Sequence, residues 1–199
     1  MYFKILWRYN LPFFFAIILV VLVSNPGKLS CQVNARDYKK FYYPNGVISS
    51  EGFFKNGKPD GFWKTYYVNG VLKSEGLWRN SVLDSTWKFF DNLGNVTSII
   101  NYYAGKKSGF YYTYKTVNGG GSNRPILASK ELYLNDKRED FGYYYRNDGS
   151  LATITHFVDG KKDGTEKDFK PDSIVSTIRE YSKGRLIYYD EINRLDSAG

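Results

Sequence analysis

The chain has 199 residues, enough for one domain with a core or for a one-dimensional repeat array. Aromatic residues make up 19% and glycine occurs 19 times, a composition that favours strands and turns over helices. The single cysteine excludes an internal disulfide. The formal net charge of +8 becomes a mild excess once the basic N-terminus is set aside, so it gives no reason to expect a nucleic-acid partner.

The first 35 residues are typical of an export signal. Two basic residues, Lys4 and Arg8, precede an unbroken apolar run over residues 11–23. That run has the length of a signal-peptide core and is shorter than the roughly 20 residues of a membrane span. We therefore predict a signal peptide over residues 1–35 and an exported protein, located in the periplasm, the outer membrane or the extracellular space.

The processing of this signal has three alternatives. The sequence KLSC at residues 28–31 resembles a bacterial lipobox, with Lys28 where an aliphatic residue is usual, and makes Cys31 the candidate lipidation site. The sequence VNA at residues 33–35 is an ordinary cleavage site. The third alternative is an uncleaved membrane anchor.

Residues 36–199 form a repeat domain with a period of 24 residues, preceded by a half repeat. Repeats start near residues 46, 70, 94, 125, 149 and 173, and position 0 denotes the first residue of each. Position 2 is aliphatic, position 4 is Ser or Thr and position 8 is aromatic in all six repeats. A glycine-rich stretch, residues 117–124, interrupts the period by seven residues and is predicted to be an inserted flexible loop.

The turn residues indicate how each repeat folds. Pairs such as Asn56-Gly57 and Asp159-Gly160 tolerate positive φ and recur at alternating spacings, which predicts two short strands per repeat. We expect an all-β fold, an elongated single-sheet antiparallel meander of β-hairpin repeats with about 12 short strands and no α-helix beyond the signal segment. Side-chain parity further predicts one bulge near position 15 and a three-residue loop before each repeat, with positions 2, 4, 8 and 20 on one face. The hydroxyls at position 4 are expected to form a ladder between neighbouring strands.

The stretch EGFFKNGKPDGFWKTYYVNG, residues 51–70, resembles the MORN repeat variant, whose units read roughly Gly-Lys-x-x-Gly-x-Trp-x-x-Tyr-x-x-x-Gly. The resemblance covers about residues 38–190 and departs from the pattern at the glycine-rich insertion, Gly142 and Glu166, the last two standing where Trp is expected. It implies an elongated sheet of hairpins with an interaction or scaffold role, and it brings no catalytic residues. Membrane association is proposed for some members, and some bacterial ones carry an antitoxin label.

Catalytic and metal-binding residue types are scarce. His156 is the only histidine and is expected to be an ordinary surface side chain, so neither a Cys/His metal cluster nor a Ser-His-Asp set is convincing. One acid recurs at position 14, as Asp60, Asp84, Glu139 and Asp163, which is too sparse for a calcium-binding β-roll and typical of turn capping. We therefore expect no enzyme, no cofactor and no metal site.

An aromatic strip is the candidate binding site. Position 17 holds Trp63, Trp87 and Tyr111, and position 7 holds Phe53 and Leu77 nearby. These five residues are predicted to share the face opposite to the core columns, although position 17 has an alternative interpretation as core. An exposed strip of this kind can bind a partner, a glycan or a membrane surface.

Three functions remain open from the sequence. The first is a non-catalytic repeat module of the bacterial cell envelope or exterior that mediates protein–protein interaction or scaffolding, with a protein partner that the sequence does not identify. The second is a polysaccharide- or lipid-headgroup-binding surface that combines the strip with turn lysines Lys58, Lys106, Lys161 and Lys162. The third is an antitoxin-like or immunity partner.

Overall fold

The computed structural model describes residues 36–119 and 122–192. The predicted signal segment and Cys31 lie outside the described residues. Within the described part of the chain, no helix is long and apolar enough to cross a membrane. All regular structure there is β-strand.

Thirteen antiparallel strands form one sheet in which every strand pairs with its neighbours in the chain. They are β1 (Asp37–Tyr42), β2 (Ile48–Lys55), β3 (Lys58–Tyr66), β4 (Leu72–Arg79), β5 (Val82–Phe90), β6 (Val96–Tyr103), β7 (Lys106–Gly119), β8 (Ser122–Leu134), β9 (Lys137–Tyr145), β10 (Leu151–Val158), β11 (Lys161–Phe169), β12 (Val175–Ser182) and β13 (Arg185–Glu191). The predicted all-β meander is confirmed. The thirteenth strand is β1, which the half repeat forms.

Two kinds of turn alternate along the chain, one at each end of the strands. Hairpins inside a repeat close with two residues that both have positive φ, such as Asn56 (51°) and Gly57 (73°), the combination of a type I′ turn. Between repeats the loop has three residues, and at the first of these loops the Tyr43 carbonyl accepts the N–H of Gly46 at 2.9 Å. Gly46 has a φ of 82°, so the predicted three-residue loop with a left-handed glycine is confirmed. We call the two ends of the sheet the tight-turn edge and the loop edge.

The bulge at position 15 lies where the sequence predicts it but is wider. Residues at this position have positive φ in five repeats: Gly61, Ser85, Gly109, Asp140 and Gly164. In the first hairpin Gly52 lies opposite Trp63 while Phe54 lies opposite Pro59, so β3 contributes two extra residues instead of one. Because side chains alternate between faces, the second extra residue moves position 17 to the face of position 8 and position 20 to the other face.

The two faces differ in composition. We call one face the tryptophan face, because it carries Trp63, Trp78 and Trp87. The most buried apolar side chains lie on it: Trp87, Ile100 and Phe157 are 4%, 3% and 2% exposed. The predicted hydroxyl ladder lies on this face, where Thr65 and Thr113 bond to Ser74 and Ser129 at 2.7 Å. The phenylalanine face, which carries Phe53, Phe62, Phe110 and Phe141, is more exposed.

Position 20 does not share the face of positions 4 and 8, contrary to the prediction. The Tyr66 hydroxyl, at position 20, donates to Glu51 at 2.6 Å on the phenylalanine face. The physical reason is again the second extra residue of the bulge.

The glycine-rich insertion is also different from its prediction. Strands β7 and β8 continue into it, with Val117 opposite Arg124 and Gly119 opposite Ser122. Residues 117–119 and 122–124 are therefore strand and not flexible loop. These residues pair only with each other, because the pairing of β7 with β6 ends at Thr113 and that of β8 with β9 begins at Ser129. The insertion therefore lengthens one hairpin beyond its neighbours.

Side chains at position 21 link neighbouring repeats along the loop edge. The hydroxyls of Tyr43 and Tyr67 donate to the carbonyls of Tyr66 and Phe90 at 2.7 and 2.8 Å. Lys115 donates to the carbonyl of Tyr145 at 3.0 Å in the same way. Each bond joins adjacent repeats, as expected for an array that nearest neighbours stabilise.

Candidate functional site

The five residues of the predicted aromatic strip do not share one face. Trp63 contacts Phe54 with ring centroids 5.3 Å apart, and Trp87 contacts Trp78 at 5.9 Å, which places position 17 on the tryptophan face. Tyr111 also lies on this face, with its ring centroid 5.8 Å from that of Tyr133.

The other two residues of the strip, Phe53 and Leu77, lie on the phenylalanine face. Phe53 pairs with Tyr38, and Leu77 lies opposite Phe62. The prediction of a single strip was wrong because it assumed a one-residue bulge.

Glycines in neighbouring strands provide the space for two of the tryptophans. A Cβ built on Gly52 would lie 2.2 Å from the Trp63 ring, and one on Gly76 would lie 2.2 Å from the Trp87 ring. The Trp87 indole N–H also donates to the carbonyl of Leu77 at 3.1 Å. Buried and hydrogen-bonded, Trp87 forms part of the core, which agrees with the alternative interpretation of position 17.

Charged side chains replace the tryptophans in the C-terminal half of the tryptophan face. Glu166, 5% exposed, accepts hydrogen bonds from Thr155 at 2.8 Å and Arg179 at 3.3 Å, and it pairs with Lys162. Arg179 also pairs with Asp168 at 2.6 Å, and this hydrogen bond raises the pKa of Arg179. Since the buried Glu166 carboxylate and the half-buried Asp168 carboxylate both have partners, the network can support the fold without a ligand.

The phenylalanine face offers exposed aromatic rings beside cations. Phe53, Phe62, Phe110 and Phe141 are 37%, 45%, 42% and 42% exposed. The ammonium group of Lys130 lies 4.5 Å from the centroid of the Phe110 ring, within the range of a cation–π contact. A shallow cavity of about 200 Å³ beside Phe141 is lined by Ile154, Thr165 and Lys167.

Three of these phenylalanines were missed by sequence reasoning. Phe62, Phe110 and Phe141 all stand at position 16, which holds threonine in two other repeats. A column of phenylalanine alternating with threonine, next to the position-17 column, was the available signal. With the predicted one-residue bulge, position 16 shares the face of position 20 and was therefore expected in the core. The exposure of these three phenylalanines was not expected for that reason.

Two of the four recurring acids at position 14 cap turns, as predicted. Glu139 accepts the backbone N–H of Asp159 at 2.9 Å, and Asp163 accepts that of Lys183 at 3.2 Å, both at the next tight turn. His156 is half-buried, with its ring 4.8 Å from that of Phe141. Among the residues that the structure describes, no group of His, Cys, Asp and Glu is arranged to hold a metal ion.

Comparison with known proteins supports the resemblance seen in the sequence. The family model of the MORN repeat variant matches residues 39–56 and 59–80. No curated protein matches the chain. MORN repeats are generally non-catalytic modules that bind proteins or membrane lipids. Residues 39–56 and 59–80 of this chain are therefore similar to MORN-variant repeats.

Proposed function

We propose that the protein is a non-catalytic repeat module of the bacterial cell envelope or exterior that binds another protein through its phenylalanine face. The observation that supports this proposal most directly is the row of exposed phenylalanine rings with adjacent lysines. Exposed aromatic residues cost free energy in water and are the usual energetic anchors of protein interfaces.

The shape of this face favours a protein over a small molecule. Its cavity of about 200 Å³ is smaller than the roughly 300–1,000 Å³ of typical small-molecule sites. Phe62, Phe110 and Phe141 belong to three different repeats, so a partner that contacts all three must be extended along the array. A folded protein surface or a long peptide meets this requirement.

The interaction is tested by comparing two triple variants. The first replaces Phe62, Phe110 and Phe141 with serine, and the second replaces the exposed apolar residues Val68, Leu93 and Ile174, which lie in the loops between repeats. After crosslinking in cells, the wild-type protein and the second variant should retain the same partner, identified by mass spectrometry, and the first variant should lose it. Equal retention by both variants would contradict the proposal.

The location is tested separately. The N-terminal pattern of Lys4, Arg8 and the apolar run 11–23 supports export. Mass spectrometry of the protein from fractionated cells should find a chain that begins after Ala35 or at a lipid-modified Cys31. A full-length chain in the cytoplasm would contradict this part of the proposal.

A further inference from the structure

Asp60 differs from the other acids at position 14. Asp84 accepts a hydrogen bond from Ser85 at 2.8 Å, and Glu139 and Asp163 accept turn N–H groups. Asp60 is 8% exposed, and its carboxylate accepts no hydrogen bond from the described residues. Its charge partner there is Arg36 at 3.6 Å. Among the described residues Asp60 is paired with Arg36 alone, so its carboxylate keeps acceptor positions that a ligand can use.

In the later repeats the acid accepts the N–H of the first residue of the next tight turn, Asp159 or Lys183. At the second tight turn the equivalent residue is Asn80, and no hydrogen bond joins its N–H to Asp60.

Asp60 lines an open cleft of about 510 Å³ at the tight-turn edge, between the hairpin ends of the first two repeats. The cleft is lined by Lys55, Asn56, Lys58, Asp60, Asn80 and Ser81. Neither Lys55 nor Lys58 forms an ion pair with a described carboxylate. The cleft therefore combines two free cations and several amide or hydroxyl groups with one buried acceptor.

The positive charge of the described chain is concentrated on this edge. The six hairpin ends, residues 55–58, 79–82, 103–106, 134–137, 158–161 and 182–185, hold eight basic and two acidic residues. The other described residues hold 16 basic and 17 acidic ones. An anionic ligand is therefore attracted to the tight-turn edge and not to the rest of the sheet.

We propose that this cleft binds an acidic sugar unit of an anionic polysaccharide. The sugar carboxylate lies between Lys55 and Lys58, and a sugar hydroxyl donates a hydrogen bond to Asp60. A phosphate diester or a sulfate offers only acceptors and is repelled by a buried carboxylate, whereas an acidic sugar offers an anion and hydroxyl donors together. The cleft volume is within the range of small-ligand sites, which suits one or two sugar units.

Neighbouring tight turns extend the site along the sheet. Two strands at about 4.8 Å each separate successive tight turns by about 10 Å. Further units of a linear polymer thus reach Lys106, which also forms no ion pair in the described chain. This inference goes beyond protein binding, because the cleft lies at the tight-turn edge and none of the phenylalanines of the phenylalanine face lines it.

The test is isothermal titration of the protein with two acidic oligosaccharides, tetragalacturonate and a tetramer of sialic acid. Replacing Lys55 and Lys58 with alanine should weaken binding by about tenfold or more, equivalent to at least one charged contact. Lys170→Ala, an exposed lysine at the loop edge, serves as the matched control and should leave the affinity unchanged.

Asp60→Asn decides between a sugar site and general attraction to polyanions. It should weaken binding of the acidic sugar, because an amide replaces one carboxylate acceptor by a donor. Simple polyanion attraction, with heparin, DNA or phosphatidylglycerol vesicles as probes, should instead be unchanged or tighter when a negative charge is removed.

Two results overturn the proposal: neither tetramer binds the wild-type protein, or binding persists at equal or greater strength in Asp60→Asn. The lysine variant remains informative if Asp60→Asn does not fold, because Lys55 and Lys58 lie outside the core. The serine variant of the phenylalanine face should keep sugar binding, so failure of one proposal is distinguishable from failure of the other.

Discussion

Gly76→Ala tests how the tryptophan face is built. Gly76 does not have a positive φ, so its backbone conformation suits alanine. The obstacle is space, since a Cβ on Gly76 would lie 2.2 to 2.4 Å from three atoms of the Trp87 ring. Ordinary contacts of such carbons are above about 3.4 Å, so the ring must move by roughly 1 Å.

The expected cost follows from what holds Trp87 in place. The ring is 4% exposed, lies 5.9 Å from Trp78 and 6.2 Å from Phe89, and donates a hydrogen bond to Leu77. Overpacking a filled core costs about 1 to 3 kcal/mol, and losing the hydrogen bond adds about 1 kcal/mol. Gly76→Ala should therefore lower the free energy of unfolding by about 2 to 4 kcal/mol.

Urea denaturation of a double-mutant cycle measures this coupling. In a Trp87→Ala background the ring is absent, so Gly76→Ala should cost less than about 0.5 kcal/mol. Gly70→Ala is the control, because its φ of 84° strains any L-residue while a Cβ there meets only Val47 at 3.8 Å. It should cost about 1 to 2 kcal/mol with or without Trp87. Equal costs of Gly76→Ala in both backgrounds would refute the steric explanation.

Three further predictions concern individual contacts. Trp78→Phe should reduce the free energy of unfolding less than Trp87→Phe in urea denaturation, because the buried Nε1 of Trp78 has no hydrogen-bond partner among the described residues whereas that of Trp87 has one. Tyr67→Phe should cost about 1 kcal/mol through loss of the bond to Phe90, while Tyr188→Phe, at an exposed residue of β13, should cost almost nothing in the same assay. Hydrogen bonds from Asn95 and Leu93 hold the pKa of Asp91 below its usual value, so its contribution to stability is present above the unfolded pKa of about 3.9 and is lost as the pH falls through the folded pKa. Asp91→Asn should therefore reduce the stability difference between pH 6 and pH 3, and an unchanged difference would contradict this assignment.

The fold was predictable because turn chemistry repeats with the period. Asn56-Gly57 and Gly46 lie in turns that require positive φ, and Asn and Gly are the residue types that predict such turns. The width of the bulge was not predictable in the same way. Gly61, Ser85 and Asp140 all tolerate positive φ, but their identity does not indicate whether one or two residues remain unpaired.

The error in the candidate site followed from that width. Positions 17 and 20 are both aromatic in the first three repeats, so hydrophobicity alone did not assign either one to a face. A pairwise signal was nevertheless present. Gly52 and Gly76 stand at position 6 in the two repeats with Trp at position 17, and a small residue facing a large ring indicates direct contact.

The unpaired lysines of the tight-turn edge contribute little to the stability of the fold. In the fourth repeat Lys137 pairs with Asp159 of the next tight turn, so this geometry allows neighbouring turns to neutralise each other. Exposed pairs of this kind contribute only about 0 to 1 kcal/mol, and leaving Lys55, Lys58 and Lys106 unpaired therefore costs the fold little. The core side of the sheet, in contrast, is filled by tryptophan packed on glycine in the first two repeats and by the charged network around Glu166 in the fifth. Ligand binding at the unpaired turns is thus compatible with an intact array. Substitutions of the turn lysines in the first three repeats can therefore change ligand binding with little effect on the free energy of unfolding.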